Sequence, residues 1–295
     1  MESIKSINVK GRHTRVFVAG DVDHPPILLL HGIGRSIEDW ETQFVPLRQA
    51  GYRVIAPDLP GSGFSDRLPT YTTLPGLAQG VLETVDAIGE TRRLHVIGHS
   101  LGGAVALQLL ALHPDRVATL NLVSSGGFGS ALHPILRLAA TPLIGAVATR
   151  HTNRATARMT ERQIYVDRSF ATDERIDRAV TLARRPDTGA VMHETARSVA
   201  TIRGVRPQWR AELISVASKR RRPTLIIWGD HDRFLPGRQI DASRRLFPHA
   251  RVHLLRAVGH APQVEAAERF AELTLDFLRS QPAATAAVPR NATGS

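Results

Sequence analysis

Apolar residues along this chain gather into short runs separated by turns rich in glycine and proline, and the character of the runs changes with position. Residues 4–9 and 14–19 alternate in polarity around Lys10-Gly11-Arg12, which predicts an antiparallel hairpin. After Pro25 and Pro26, Ile27-Leu28-Leu29-Leu30 shows no alternation, as expected of a strand covered on both faces. Further strands are predicted at 52–56, 94–97, 117–123, 224–228 and 251–255. Helical spacing appears between them. Trp40, Phe44, Val45 and Leu47 mark a helix over 39–50 that stops at Gly51, and 74–88 stops at Gly89. Helices are also predicted after Ser100 to about His113, over 238–246, and over 264–278. Strands alternating with helices of this length predict an α/β fold, a mostly parallel eight-stranded twisted sheet flanked by helices.

The alternation breaks near Gly126. Up to about Arg222 the chain is Arg-rich and helical in character with no convincing strand, and helices are predicted over 173–184 and 188–203. The expected organisation is a core of residues 1–130 and 216–280, a helical insertion at 131–215, and a tail at 281–295. That tail is rich in Ala, Pro and Thr and lacks a hydrophobic period, so it is expected to be disordered.

Composition narrows the function classes. At 295 residues, 42% hydrophobic and 22% charged, the chain can bury a sizeable core as a soluble globular protein. It has no cysteine, which excludes disulfides and thiolate metal sites. A net charge of +11 invites a nucleic-acid reading, but the basic residues are overwhelmingly Arg, aromatics make up 5%, and no nucleic-acid motif accompanies them. An Arg-rich solvated surface is the expectation, with no nucleic-acid partner. The first thirty residues lack a secretory signal pattern, so a cytoplasmic location is expected. His133, Pro134, Arg137 and Pro142 interrupt the most apolar stretch, 131–149, so no transmembrane segment is expected there.

The chemistry centres on Gly98-His99-Ser100-Leu101-Gly102, between a predicted strand and an Ala/Leu-rich helix. A serine at the apex of such a turn takes positive φ, and close approach of strand to helix requires tiny residues two positions before and after it. The helix that follows points its first amides at the serine. A nucleophilic serine needs a base, the base an orienting acid, and the oxyanion donors. Candidates for these parts lie at the ends of predicted strands.

The chain resembles an α/β-hydrolase from about residue 4 to 278. The resemblance rests on the serine turn, on His31-Gly32-Ile33-Gly34, on the run from Asp58 to Ser65, on Gly229-Asp230-His231-Asp232-Arg233-Phe234-Leu235-Pro236, and on Gly259-His260-Ala261-Pro262, in the order Ser, Asp, His. It implies Ser100 as nucleophile and His260, of 13 histidines, as general base. Asp232 is implied as orienting acid in competition with Asp230, and the backbone amides of Ile33 and Leu101 as oxyanion donors. Asp230 and Asp58 are expected to serve turns, His31 to organise its loop by hydrogen bonding, His99 to pack beneath the serine turn, and Trp40 and Trp228 to sit in the core.

Serine at this position argues against epoxide hydrolases and haloalkane dehalogenases, which use a carboxylate. The resemblance implies hydrolysis of a carboxylic ester or lactone through an acyl-enzyme, with a small apolar acyl substrate and neither metal nor organic cofactor. Alternatives are carbon-carbon hydrolysis of the meta-cleavage type, acyl transfer, and a non-catalytic small-ligand receptor. Carbon-carbon hydrolases often carry Asn before the serine and Trp after the histidine, where this chain has His99 and Ala261. The insertion resembles a cap whose segment 132–147 could line an acyl pocket.

Overall fold

The computed structural model describes residues 3–281. In chain order the first elements are β1 (Ser3–Val9), β2 (Arg12–Ala19), β3 (Pro26–Leu30), α1 (Glu41–Gln49), β4 (Arg53–Pro57), α2 (Leu74–Ala87), β5 (Leu94–His99), α3 (Leu101–Leu112) and β6 (Val117–Val123). Then follow α4 (Pro134–Ala139), α5 (Leu143–Ala148), α6 (Arg154–Ile164), α7 (Asp173–Ala183), α8 (Thr188–Val199), β7 (Ala200–Thr201), β8 (Gly204–Val205) and α9 (Pro207–Lys219). The chain closes with β9 (Thr224–Gly229), α10 (Gln239–Leu246), β10 (Arg251–Leu255), α11 (Pro262–Glu265) and α12 (Ala267–Arg279). Apart from Gln281, the expected tail lies outside the described residues.

Eight strands form one sheet in the order β1-β2-β4-β3-β5-β6-β9-β10. The pairs β1/β2 and β2/β4 are antiparallel and the others parallel. Burial on both faces accounts for the unbroken apolar strands. Leu28, Leu30, Val96, Leu122 and Ile226 pack into one cluster with residues of α2, α3 and α9, whereas Ile27, Leu29, Ile97, Val123 and Ile227 pack into another with α1 and α12. Trp40 and Trp228 are both fully buried, one in each layer.

The predicted helix over 39–50 divides into a 3₁₀ turn, Ile37–Trp40, and α1. The one predicted over 188–203 ends at Val199, where the chain turns into the antiparallel ribbon β7/β8, a strand pair that the polarity pattern did not suggest. Gly204, at φ 114°, makes that ribbon possible. A side chain there would also collide with the Ser130 carbonyl, which accepts the amide of Val205 at 2.9 Å. The helices α4 to α8 lie between β6 and β9 in sequence, and their apolar residues wall the space above the carboxyl ends of the strands.

Candidate active site

The turn between β5 and α3 has the geometry its sequence required. Ser100 sits at φ 55°, ψ −114°, a conformation costly for a side-chain-bearing residue. Three backbone hydrogen bonds hold it there: its amide donates to Val123 O at 2.9 Å, and its carbonyl accepts the amides of Gly103 and Gly126, each at 3.1 Å. A Cβ at Gly98 would collide with the Gly102 carbonyl, and one at Gly102 with the Leu30 carbonyl, so both positions exclude every larger residue.

Asp232 stands in the loop after β9. Its Oδ1 accepts the amides of Phe234 at 2.8 Å and Leu235 at 2.9 Å, and its Oδ2 accepts His260 Nδ1–H at 2.8 Å. Of the two candidate aspartates, Asp232 is the one bonded to His260. Asp230 pairs instead with the exposed His231 and accepts the Val258 amide. With Nδ1 donating to Asp232, Nε2 of the neutral imidazole is its acceptor nitrogen. His260 and Ser100 line the same cavity.

The His260 loop is clamped from several sides. Phe234 stacks on its ring at 5.1 Å, and His99 lies against it at 4.7 Å. The His260 amide donates to Ile164 O, at the end of α6, at 2.7 Å. Glu265 accepts the amide of Gly259 at 2.6 Å through one oxygen, and the amides of Val166 at 2.6 Å and Asp167 at 2.8 Å through the other. The sequence gives Phe234 a place in the acid segment but no role against His260, and it gives Glu265 no role at all. The signal for Glu265 was faint, an acid five residues past His260 that looks like a surface residue.

His31 organises its loop as expected. Its Nε2 accepts the Leu59 amide at 2.9 Å and its Nδ1–H donates to Gly32 O at 2.8 Å. Asp58 holds the turn that follows β4, accepting the amides of Ile37 at 2.8 Å and Phe64 at 2.7 Å. Among the described residues, the Ile33 amide has no acceptor, and the Leu101 amide, first in α3, has none within its helix.

A second polar group was not legible in sequence. Arg35 donates to Asp39 through Nε at 2.9 Å, and to Glu161 of α6, 126 positions away. Burial disfavours the Arg35 charge, and the adjacent Asp39 and Glu161 more than reverse this, so its pKa rises well above the ordinary value. Burial also disfavours the Asp39 anion, yet Arg35 holds it below the usual carboxylate range. His99 is the opposite case: burial first, then the neighbouring His260, pulls its pKa down to about 3. It is therefore neutral, and its Nε2–H donates to His260 O at 2.8 Å.

Ser100 lies where two cavities meet. The larger, of about 480 Å³, is walled by Ile135, Leu138, Val147, Met159 and Met192 and reaches His260. The smaller, of about 50 Å³, runs past Ile33 and Leu101 to Leu132, Val199 and Trp209, and is almost wholly apolar. Among the described residues no group of three or more His, Cys, Asp or Glu side chains is arranged to hold a metal ion.

The sequence matches the family model described as alpha/beta hydrolase fold over residues 25–267. It is 33% identical over 271 residues to the dihydrolipoyllysine-residue acetyltransferase component of the acetoin cleaving system from Pseudomonas putida, covering 92% of this chain and 68% of that protein. It is 30% identical over 262 residues to 2-hydroxy-6-oxononadienedioate/2-hydroxy-6-oxononatrienedioate hydrolase from Cupriavidus pinatubonensis, covering 85% and 86% of the two chains. Among solved structures, a meta-cleavage product hydrolase superposes with a TM-score of 0.76 at 25% identity, covering 93% of this chain and 97% of the other. Strand order, the strained serine turn and a match spanning most of its length agree: this chain belongs to the alpha/beta-hydrolase fold family.

Proposed function

We propose that this protein is a serine hydrolase that cleaves a carboxylic ester or lactone through an acyl-enzyme on Ser100. The Ser100 oxygen attacks the carbonyl carbon while His260 Nε2 takes its proton, and Asp232 fixes the tautomer and stabilises the imidazolium. The carbonyl oxygen becomes an oxyanion held by the Ile33 and Leu101 amides. Collapse breaks the ester bond, His260 returns the proton to the departing alkoxide, and water then releases the acid by the same route. The observation that carries this reading is the 2.8 Å bond between His260 and Asp232 beside a serine turn whose neighbouring amides are unspent.

The two cavities support an orientation. A leaving alkoxide must lie on the His260 side to receive its proton, which assigns the alcohol portion to the larger cavity and the acyl group to the smaller. In this reading α4 to α8 act as the cap that shapes the larger space. The expected outcome with p-nitrophenyl esters is a kcat/KM highest for acetate to butyrate and lower by about tenfold or more at decanoate. A kcat/KM that climbs steadily with acyl length would reverse the assignment.

The relatives favour a second reading, hydrolysis of a carbon-carbon bond in a dienoate, since two of the proteins above carry that chemistry in their names. One feature of the cavity weighs against it. Arg35 is the one guanidinium on the wall of the larger cavity among the described residues, and Asp39 and Glu161 already engage it, so a substrate carboxylate there would meet no unengaged guanidinium on that wall. Incubation with 2-hydroxy-6-oxo-6-phenylhexa-2,4-dienoate separates the readings: loss of its absorbance faster than ester turnover favours the carbon-carbon reaction.

A further inference from the structure

The rim of the larger cavity combines two features that rarely adjoin on a freely solvated surface. On α5, Leu143 is 83% exposed, Ile144 63% and Val147 61%, and Met159 on α6 is 51% exposed. Val147 and Met159 also wall the cavity, so part of its apolar lining continues onto the surface. Beside this ridge lies a groove lined by Arg154, Arg158, Arg162, Arg168 and Arg233, and Met159 lines groove and cavity alike. The first three recur every four residues along one face of α6. Arg154 and Arg158 pair with Asp173, whereas Arg162, Arg168 and Arg233 have no carboxylate partner among the described residues. Residues 131–215 hold fourteen arginines, no lysine and eight carboxylates, so more than half of the net charge of +11 falls in this segment.

We propose that this rim docks on an anionic lipid surface, with the α5 side chains entering the headgroup layer and the arginines engaging lipid phosphates. Exposed apolar side chains bordered by cations are the combination by which proteins lie on such surfaces, each part contributing separately to binding. A second copy of the chain is a poor occupant, because the face would bring its own unpaired arginines against one another. The docked orientation places the cavity mouth at the bilayer, so an amphiphilic molecule could pass from lipid toward Ser100 without crossing water. Binding itself does not depend on the ester reading.

Co-sedimentation of the full chain with vesicles tests this without any turnover assay. Vesicles of phosphatidylcholine mixed equally with phosphatidylglycerol are expected to bind the chain about tenfold or more tightly than phosphatidylcholine alone, and about 1 M salt is expected to abolish the difference. Arg162→Glu/Arg168→Glu and Leu143→Glu/Ile144→Glu each alter only exposed side chains. Each pair is expected to weaken binding to the anionic vesicles by about tenfold or more, with unchanged thermal unfolding. Equal binding to both vesicle types, no sedimentation with either, or full binding by both folded variants would overturn the proposal. Retention on immobilised polyglutamate without vesicle binding would also overturn it, and would reassign the face to an acidic protein.

Discussion

Ser100 is held in a strained backbone conformation, and its neighbours make that strain tolerable. The neighbouring imidazoles serve in different ways. His260 is held by Asp232 at 2.8 Å, whereas His99, one residue before the serine, is buried to the point that its pKa falls to about 3. His95, lower on the same strand, is likewise pulled by burial to about 4. Both stay neutral in the fold at pH values where the unfolded chain takes up protons, below about 6.5. Between those limits the unfolded state binds more protons, so stability falls as pH falls. The two sites together are expected to cost about 3 kcal/mol between pH 6.5 and pH 5, with Asp39 and Glu38, both held below the usual carboxylate range, adding a further loss at lower pH. Urea unfolding across this range measures the slope. A flat stability from pH 7 to pH 5 would mean that both histidines accept a proton in the fold.

Elements position the site through contacts that span the chain. Glu265, at the end of α11, ties the Gly259 amide to the residues just past α6, while the His260 amide grips Ile164. Glu265→Ala removes the acceptor of three backbone amides, so a destabilisation of about 2 to 4 kcal/mol is expected. A kcat loss of about tenfold or more is also expected, as the His260 loop loosens. Glu265→Gln should recover part of both, because an amide oxygen still accepts. Full kcat in a folded Glu265→Ala chain would show that the loop is held in place without Glu265.

This contact also marks where sequence reading ends. Strand runs such as 27–30 and 224–228 were legible because burial on both faces leaves an unbroken apolar signature, and the serine turn because its glycines have no substitutes. The bridge from Arg35 to Glu161 and the clamp of Glu265 were not, since a buried carboxylate and a surface one are the same letter until the chain folds. The ribbon β7/β8 escaped for a related reason: two-residue strands are too short to carry a period.

At the scale of the whole molecule, charge and polarity are sorted by depth. The sheet and its two apolar layers form a rigid base, the strand ends carry Ser100, Asp232 and His260, and the helices above them enclose a cavity whose guanidinium is already engaged. Unpaired arginines stand outside, around the rim. This arrangement matches an apolar group within and an anionic surface without. No helix among the described residues is long and apolar enough to cross a membrane.

The central claim is that Ser100 carries out ester hydrolysis, and the most direct measurement is kcat/KM for p-nitrophenyl butyrate in the native chain and in Ser100→Ala. Removing one hydroxyl from a preformed turn leaves the fold intact, so thermal unfolding should be unchanged while kcat/KM falls on the order of 10⁴-fold. Equal rates in the two folded proteins would contradict the account.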